Sequence, residues 1–316
     1  MLALIGIIAV FAAVLGGYLL EKGNPWVLLQ PAEMLIVVGA AAGTILVANP
    51  PTLIRKMLAG TRDAFRAPRG RKWLLVHLRM LYEVFAYIQR AGIVAFENDV
   101  DTPEKSRIFS RYPEFLRDRE TRDFICDSLR MMVIGATTPQ ELDQLMDLDI
   151  DVQRRGRHEP VAALHTVADS LPGLGIVAAV LGVVITMQAI GGSPETVGQK
   201  VAAALVGTFL GILLCYGVVG PVASRLESMG EAHAQFLQVM RVAICSFVRG
   251  ASPILAVEYA RRSIPMESRP SFDELEATIR RDARIPPVQN PADAALPPQG
   301  VENAQSSEPA HVAETT

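Results

Sequence analysis

Two long apolar runs between Asp169 and Ser224 constrain the fold of this chain more than any other feature. The first reads LPGLGIVAAVLGVVITMQAIGG from Leu171, and the second reads VAAALVGTFLGILLCYGVVGPVA from Val201. Each run is long enough to cross a hydrocarbon core of about 30 Å as a helix that rises about 1.5 Å per residue. Neither run contains Asp, Glu, Lys or Arg. The pair therefore predicts a membrane-spanning helical hairpin that carries no charge of its own.

Two further apolar runs, at 1–20 and 32–48, raise the predicted number of spans to four. The first run lacks a basic segment in front of it and is soon followed by another apolar run, so we interpret it as a mature span and not as a signal peptide. The chain between 50 and 168 is charged and has helical periodicity. We predict an all-α fold, a polytopic membrane protein with four transmembrane helices and a large helical cytoplasmic insert.

A basic run directly after the second span predicts the orientation in the membrane. Its members, against the single acid Asp63, are Arg55, Lys56, Arg62, Arg66, Arg69, Arg71 and Lys72. The basic residues of the two short links between spans are only Lys22 and Lys200, so the positive-inside rule places 50–168 in the cytoplasm. With four spans, both termini are then cytoplasmic too, and the location is the cell inner membrane. The alternative for the basic run is a solvated face without a partner.

These patterns divide the chain into five segments. They are transmembrane helices 1 and 2 at 1–49, the helical insert at 50–168, transmembrane helices 3 and 4 at 169–224, cytoplasmic C-terminal helices at 225–285, and a tail at 286–316. The tail is rich in Pro, Ala, Gln, Ser and Glu and has too little apolar content to fold, so we expect disorder there.

Local signals predict individual helices of the insert and of the C-terminal segment. Apolar residues at helical spacing predict a helix that ends before Gly92: Leu74, Leu78, Leu81, Phe85 and Ile88. Another helix is predicted over 119–134. Capping boxes at Thr138–Glu141 and Ser271–Glu274 mark two helix starts. In the helix after Thr138, the inward residues are predicted as Leu142, Leu145 and Met146, and the acidic exterior as Asp143, Asp147, Asp149 and Asp151.

The residues that carry chemistry in enzymes do not form a recognisable constellation here. The five histidines and three cysteines are scattered without metal spacing, and the loop GSPETVGQK lacks the glycine–lysine order of a phosphate-binding loop. A net charge of −3 does not favour nucleic acid as a partner. We therefore expect no catalytic residue, no cofactor and no metal site.

The spans also lack an internal acid, because Glu33 and Asp169 fall only at their edges. An ion-conducting protein of this kind would need a carboxylate from another chain. Thr186 and Thr208 can offer oxygens to an ion, or each can bond to its own backbone one turn earlier. Pro172 and Pro221 either mark helix boundaries or act as hinges. The residues alone leave both pairs of alternatives open.

Several stretches resemble the flagellar motor stator proteins, the MotA group of the MotA/TolQ/ExbB proton channel family. They are Asp169 to Pro172, GIVAAVLGVV, VGTFLGILLCYG, Pro221 and RPSFDELE, and the likeness covers nearly all of 1–285. The resemblance implies a ring of subunits, a pentamer, around a MotB-like single-span partner that supplies the proton-carrying Asp. It also implies that ion flow moves the ring, whose insert pushes the rotor protein FliG.

The same resemblance implies roles for individual residues. Pro172 and Pro221 would couple ion passage to movement, and Thr208 would line the ion path. Sodium-driven relatives have a threonine where this chain has Ala179, so we expect H⁺ as the translocated ion and not Na⁺. Thr186 is a further candidate for the lining.

The rotor-facing charges transfer less directly from the family. Glu97 has the family spacing from Gly92, whereas Arg90 lies one residue beyond the family arginine, and Asp149 of the acidic exterior is grouped with them. An alternative within the same family is an ExbB- or TolQ-like proton-driven envelope energiser, which typically has three spans. A non-conducting membrane scaffold is a second alternative.

Overall fold

The computed structural model describes residues 2–65, 70–135, 137–188 and 191–280, and all of its regular secondary structure is helical. This confirms the predicted all-α class. The tail at 286–316, predicted to be disordered, lies outside the described residues, as do Arg66 and Arg69 of the basic run.

Within the described residues, four helices are long and apolar enough to cross a membrane, which confirms the predicted number of spans. They are α1 (Leu2–Leu20), α3 (Pro31–Ala48) with the short preceding α2 (Pro25–Leu28), α9 (Pro139–Met187), and the helix that begins with α10 (Pro194–Leu214). None of the residues of α1 is buried within the chain. In a helix the backbone N–H and C=O groups form hydrogen bonds with each other, which a segment that faces lipid requires.

Two of these helices are much longer than a membrane is thick. Helix α9 has 49 residues, about 74 Å at a rise of 1.5 Å per residue. After α10 the helix continues through a π-helical turn, Cys215–Val219, into α11 (Gly220–Val248). Pro172 lies inside α9, and Pro221 lies in the first turn after the π-helical turn. The boundary interpretation is therefore wrong for Pro172, whereas Pro221 lies at the start of α11 and the chain stays helical on both sides of it.

The helices continue through the prolines because their neighbours still pack. A proline removes one helical hydrogen bond but leaves the flanking side chains in place. Leu171 next to Pro172 is 3% exposed, and Val222 next to Pro221 is 7% exposed. Burial of these apolar neighbours compensates for the missing backbone bond.

The remaining helices form one body, which we call the head and define as 71–160 together with 225–280. It contains, besides the ends of α9 and α11, the helices α5 (Arg71–Ala91), α6 (Glu97–Asp101), α7 (Pro113–Arg117), α8 (Arg119–Ile134), α12 (Pro253–Arg262) and α13 (Phe272–Arg280), while α4 (Pro51–Asp63) joins it to the membrane helices. A single hydrophobic core draws side chains from both parts of the chain, for example Phe85 and Leu237. The segments at 50–168 and 225–285 thus fold against each other.

Most local predictions in the head are confirmed. Helix α5 ends at Ala91, before Gly92 with φ of 84°, and α8 covers the predicted 119–134. The side chain of Thr138 accepts a hydrogen bond from the backbone N–H of Glu141 at 3.3 Å, and Glu141 Oε2 accepts one from Thr138 N–H at 2.7 Å. Ser271 and Glu274 form the second capping box in the same way.

The predicted faces of the helix after Thr138 need two corrections. Leu142 and Met146 are buried as predicted, but Leu145 is 46% exposed. Asp143 belongs to a helix contact instead of the exterior, because Arg241 Nε of α11 donates to its Oδ1 at 2.7 Å. The packing of α11 against this side of α9 decides both positions.

Candidate functional site

The membrane halves of α9 and α10 touch backbone to backbone. A Cβ atom added to Gly175 would lie 2.7 Å from the carbonyl oxygen of Gly207, and one added to Gly211 would lie 2.5 Å from the carbonyl oxygen of Leu171. Real Cβ atoms do not approach other atoms this closely, so these positions need glycine. The small residues Gly207 and Gly211 therefore provide the contact between the two helices.

Ala179 and Thr208, the predicted ion-path residues, lie together at this contact. A Cβ atom on Gly207, next to Thr208, would be 3.3 Å from the backbone nitrogen of Ala179. Thr208 Oγ1 donates a hydrogen bond to the carbonyl oxygen of Gly175 on α9 at 3.5 Å. Its hydroxyl thus reaches the neighbouring helix and does not turn back onto α10.

Thr186, the third predicted ion-path residue, is in a different situation. It is 3% exposed, and its hydroxyl donates to the carbonyl oxygen of Gly182 one turn earlier at 2.8 Å. This is the backbone bond that the sequence left open as an alternative. The structure does not place Thr186 at the contact that holds Ala179 and Thr208.

Glu33 is the polar residue of this region that the sequence interpretation missed. It lies in the first turn of α3, as predicted, but its side chain is buried, with 7% exposure. Its carboxylate reaches the α9–α10 contact, because a Cβ atom on Gly207 would lie 2.6 Å from Oε2. In the sequence it falls only at the edge of its run, and it was missed for that reason. The available signal was that Glu33 is the one Asp, Glu, Lys, Arg or His within the four apolar runs.

The two prolines lie at the head side of the same helix pair. Leu171, next to Pro172, packs in one cluster with Cys215, the first residue of the π-helical turn that precedes Pro221. Pro172 is half-buried, and Pro221 is exposed. Since π-turns and prolines both interrupt the regular hydrogen-bond ladder, the two long helices deviate from regularity at one level of the molecule.

The predicted rotor-facing charges are at the surface of the head. Arg90 and Glu97 are exposed and lie on either side of Gly92, and Arg90 Nε donates to the carbonyl oxygen of Ala86 at 3.3 Å. Asp149 on α9 is half-buried and accepts from Gln153 Nε2 at 3.1 Å. None of the three forms an ion pair within the described part of the chain, and no contact there brings Asp149 to the other two.

No group of three or more His, Cys, Asp or Glu side chains in the described ranges has the geometry of a metal site. The three cysteines are all buried and unpaired. Outside the membrane helices, burial raises the pKa of the Cys126 thiol to about 12, which keeps that thiol protonated.

Two family models match the chain. Residues 4–92 match the Motility protein A N-terminal model, and residues 117–238 match the MotA/TolQ/ExbB proton channel family. Motility protein A of Escherichia coli K12 is 37% identical over 281 residues, which cover 89% of this chain and 95% of the relative. Chemotaxis protein LafT of Vibrio parahaemolyticus is 32% identical, with 86% and 96% coverage.

Solved structures share the fold. The flagellar MotAB stator complex from Bacillus subtilis contains a chain that matches with a TM-score of 0.71 at 22% identity, over 87% of this chain and 100% of that one. The C. jejuni MotAB structure matches with the same TM-score at 17% identity.

Fold and sequence together define the class as a multi-pass membrane protein of the MotA/TolQ/ExbB proton channel family. Its relatives are motility and channel proteins, in agreement with the prediction that it is not an enzyme. Within that class the chain belongs to the motility protein A family, the MotA stator subunits of the flagellar motor.

Proposed function

We propose that this chain, together with a MotB-like single-span partner, forms a proton-conducting complex that converts proton motive force into torque on the rotor protein FliG. One observation carries the proposal. Ala179 and Thr208 lie where α9 and α10 touch, and the chain of both helices stays helical into the head, through Pro172 in α9 and through the π-helical turn into α11. A rearrangement at the contact is therefore transmitted along two continuous helices to the surface that faces the rotor.

The partner supplies the proton-carrying Asp. The apolar runs 171–188 of α9 and 201–214 of α10 contain no acid, and the hydroxyl of Thr208 is already donated to Gly175. The two similar solved complexes are named MotAB, which supports a second chain beside the first.

Copies of the chain form a ring around that partner in the inner membrane, with both termini in the cytoplasm. Large apolar side chains on the membrane helices are exposed in the single chain, for example Val180 at 56% and Leu205 at 62%. Faces of this kind need lipid, a neighbouring copy or the partner helix against them.

The translocated ion is H⁺. A partly dehydrated Na⁺ needs several oxygen ligands, and Ala179 offers none at the position where sodium-driven relatives have a threonine. Swimming speed is to be measured at fixed pH over a series of external Na⁺ concentrations. We expect no dependence, and a speed that follows Na⁺ would reject H⁺.

The exposed charges Arg90 and Glu97 and the half-buried Asp149, all at the surface of the head, face the rotor. They are free to pair with charges of another protein because none of them has an ion-pair partner in the described chain. An ExbB- or TolQ-like energiser has less support, because residues 4–92 match a model specific to motility protein A.

The decisive experiment is to co-purify the chain with a single-span partner, reconstitute the complex in vesicles and measure H⁺ flux. Flux that disappears when the partner's aspartate is replaced by asparagine supports the proposal. Absence of a partner, or flux that is insensitive to that replacement, would favour a non-conducting scaffold.

A further inference from the structure

Glu33 is the only Asp, Glu, Lys, Arg or His in the described parts of the four apolar runs, 2–20, 32–48, 171–188 and 201–223. Its side chain is buried, and its Oε2 atom has no hydrogen-bond partner. No ion pair within the described chain neutralises it. A buried carboxylate without a partner is costly in its ionised form, so its protonation depends on its surroundings.

Small residues of α9 and α10 make the space that the carboxylate occupies. Added Cβ atoms would lie 2.6 Å from Glu33 Oε2 at Gly207 and 3.3 Å from Oε1 at Gly182. Ala178 and Ala204 border the same space, since their Cβ atoms would be within 2.8 Å of those added atoms. A larger side chain at either glycine would crowd the carboxylate. The space is thus formed by α3, α9 and α10 together, and we call it the Glu33 pocket.

The Glu33 pocket borders the contact at Ala179 and Thr208 and extends from it toward the short links, because the Cβ atom added to Gly207 would lie 2.6 Å from Glu33 Oε2 and 3.3 Å from the backbone nitrogen of Ala179. Gly182 is one to two turns from the end of α9 at Met187, and Glu33 itself follows the start of α3 at Pro31. The carboxylate therefore lies at the short-link end of this contact.

Few charged side chains lie on the helices that surround Glu33, and none of them pairs with its carboxylate. Lys200 is half-buried on the same face of α10, about one turn before Ala204, and forms no ion pair with Glu33. Glu195 is exposed at the start of α10, and Asp169 lies at the other end of the membrane half of α9. Helix α2 carries no ionisable side chain, and α3 carries only Glu33.

We propose that Glu33 is a proton-binding site of this chain, at the entry of the ion path. On uptake, an O–H bond forms between the carboxylate and a proton from the water at the short-link side. On release that bond breaks, and the proton passes to the next carboxylate along the path, beyond Ala179 and Thr208. The transport step rests on the proposed function, whereas the protonation of Glu33 does not.

The test has two arms, both on the complete complex in vesicles of phosphatidylethanolamine and phosphatidylglycerol. In the first, the native complex is treated with dicyclohexylcarbodiimide, which modifies protonated carboxyl groups in apolar surroundings, and the modified residues are identified by mass spectrometry over a pH series. We expect modification of Glu33 that declines as the pH rises, and none at the exposed Glu195.

In the second arm, H⁺ flux is compared between the native complex, Glu33→Gln and the matched control Glu195→Gln. Glutamine keeps the shape of the side chain, so we expect Glu33→Gln to assemble with its partner and to lose most of its flux, while Glu195→Gln keeps the native flux. Native flux in an assembled Glu33→Gln complex overturns the proposal.

The two arms separate this inference from the proposed function. Glu33 that stays unmodified at every pH also overturns the inference, and this result does not depend on whether the variant assembles. If the native complex shows no flux that requires the partner's aspartate, the proposed function fails, while pH-dependent modification still supports a protonated Glu33.

Discussion

The hydroxyl of Thr208 on α10 donates a hydrogen bond to the carbonyl oxygen of Gly175 on α9, with 3.5 Å between the two oxygens. The bond joins the two helices at the level where their backbones touch. Thr186, by contrast, uses its hydroxyl within its own helix. Two threonines of the same membrane region therefore have different structural roles.

Removal of the Thr208 hydroxyl should impair ion passage and leave the fold nearly unchanged. Valine has the same shape as threonine, and a single long hydrogen bond contributes at most about 1 kcal/mol to the free energy of unfolding. We expect Thr208→Val to assemble normally and to lose most of the H⁺ flux, and Thr208→Ser to retain it. Native flux in Thr208→Val would contradict a role in the path.

A methyl group at Gly211 should separate α9 from α10. The new Cβ atom would lie 2.5 Å from the carbonyl oxygen of Leu171 and 3.1 Å from Gly175 Cα, so the helices must move apart. We expect Gly211→Ala to lower the free energy of unfolding by about 1–3 kcal/mol, measured by denaturant titration in detergent micelles.

The matched control is Gly156→Ala in the head part of α9, where an added Cβ atom meets nothing within 4 Å. Alanine is a better helix former than glycine by up to about 1 kcal/mol, so this variant should be as stable as the native chain or more so. If both substitutions changed the free energy of unfolding equally, the close contact between α9 and α10 would not contribute to stability.

The ion pair between Arg241 of α11 and Asp143 of α9 should stabilise the head. The two side chains are only 15% and 29% exposed and are joined at 2.7 Å. We expect Arg241→Met to cost about 1–2 kcal/mol of unfolding free energy. Arg119→Met is the control, because Arg119 is 85% exposed in its pair with Asp123 and should contribute about 0.5 kcal/mol or less. Thermal unfolding of the two variants side by side checks the difference.

Glu258 on α12 should make the head sensitive to acid. Hydrogen bonds from Arg261, both at 2.7 Å, hold the pKa of this carboxyl below its ordinary value of 4.5, against the opposing effect of burial and with help from Arg262. A carboxyl whose pKa is lowered by folding stabilises the folded state above its unfolded pKa and loses that contribution as the pH falls through the folded value. Stability of the native chain should therefore decline below pH 4.5 more steeply than that of Glu258→Gln, as measured by unfolding over a pH series.

Charge reversal at Glu97 should impair swimming without affecting assembly. Glu97 is exposed at the start of α6 and has no ion-pair partner in the described chain, so lysine there disturbs nothing within the protein. We expect Glu97→Lys cells to swim poorly while the complex purifies normally. The control is Glu267→Lys, an exposed acid between α12 and α13. Normal swimming of Glu97→Lys would reject its rotor role.

The sequence predicted those parts of the fold that depend on neighbours within one or two turns. Helix α5 ends at Ala91, directly before Gly92, and α9 begins at Pro139, directly after its N-cap Thr138, because the residues that decide these points are adjacent in the chain. The prediction was wrong for Leu145 and Asp143, because α11, distant in the sequence, packs on one side of α9 and decides which residues are covered.

The two prolines show the same difference between what adjacent residues predict and what distant helices decide. Pro172 and Pro221 resemble helix ends when only their neighbours are considered, since proline lacks the N–H that a helix interior uses. The structure keeps both long helices continuous because burial of Leu171 and Val222 against other helices outweighs one lost hydrogen bond. A prediction from neighbouring residues cannot include that burial, because it depends on helices that are distant in the sequence.

The sequence by itself determined the four apolar spans, the absence of charge in the runs 171–188 and 201–223, and the membership in the motility protein A family, because span length, missing charge and motif order are all properties of adjacent residues. Only the tertiary structure decided that Glu33, at the edge of its own span, places its carboxylate against Gly182 and Gly207. The physical reason is that a long side chain is buried by whatever packs around it. Here α9 and α10, which are far from α3 in the sequence, leave a space for its one carboxyl group.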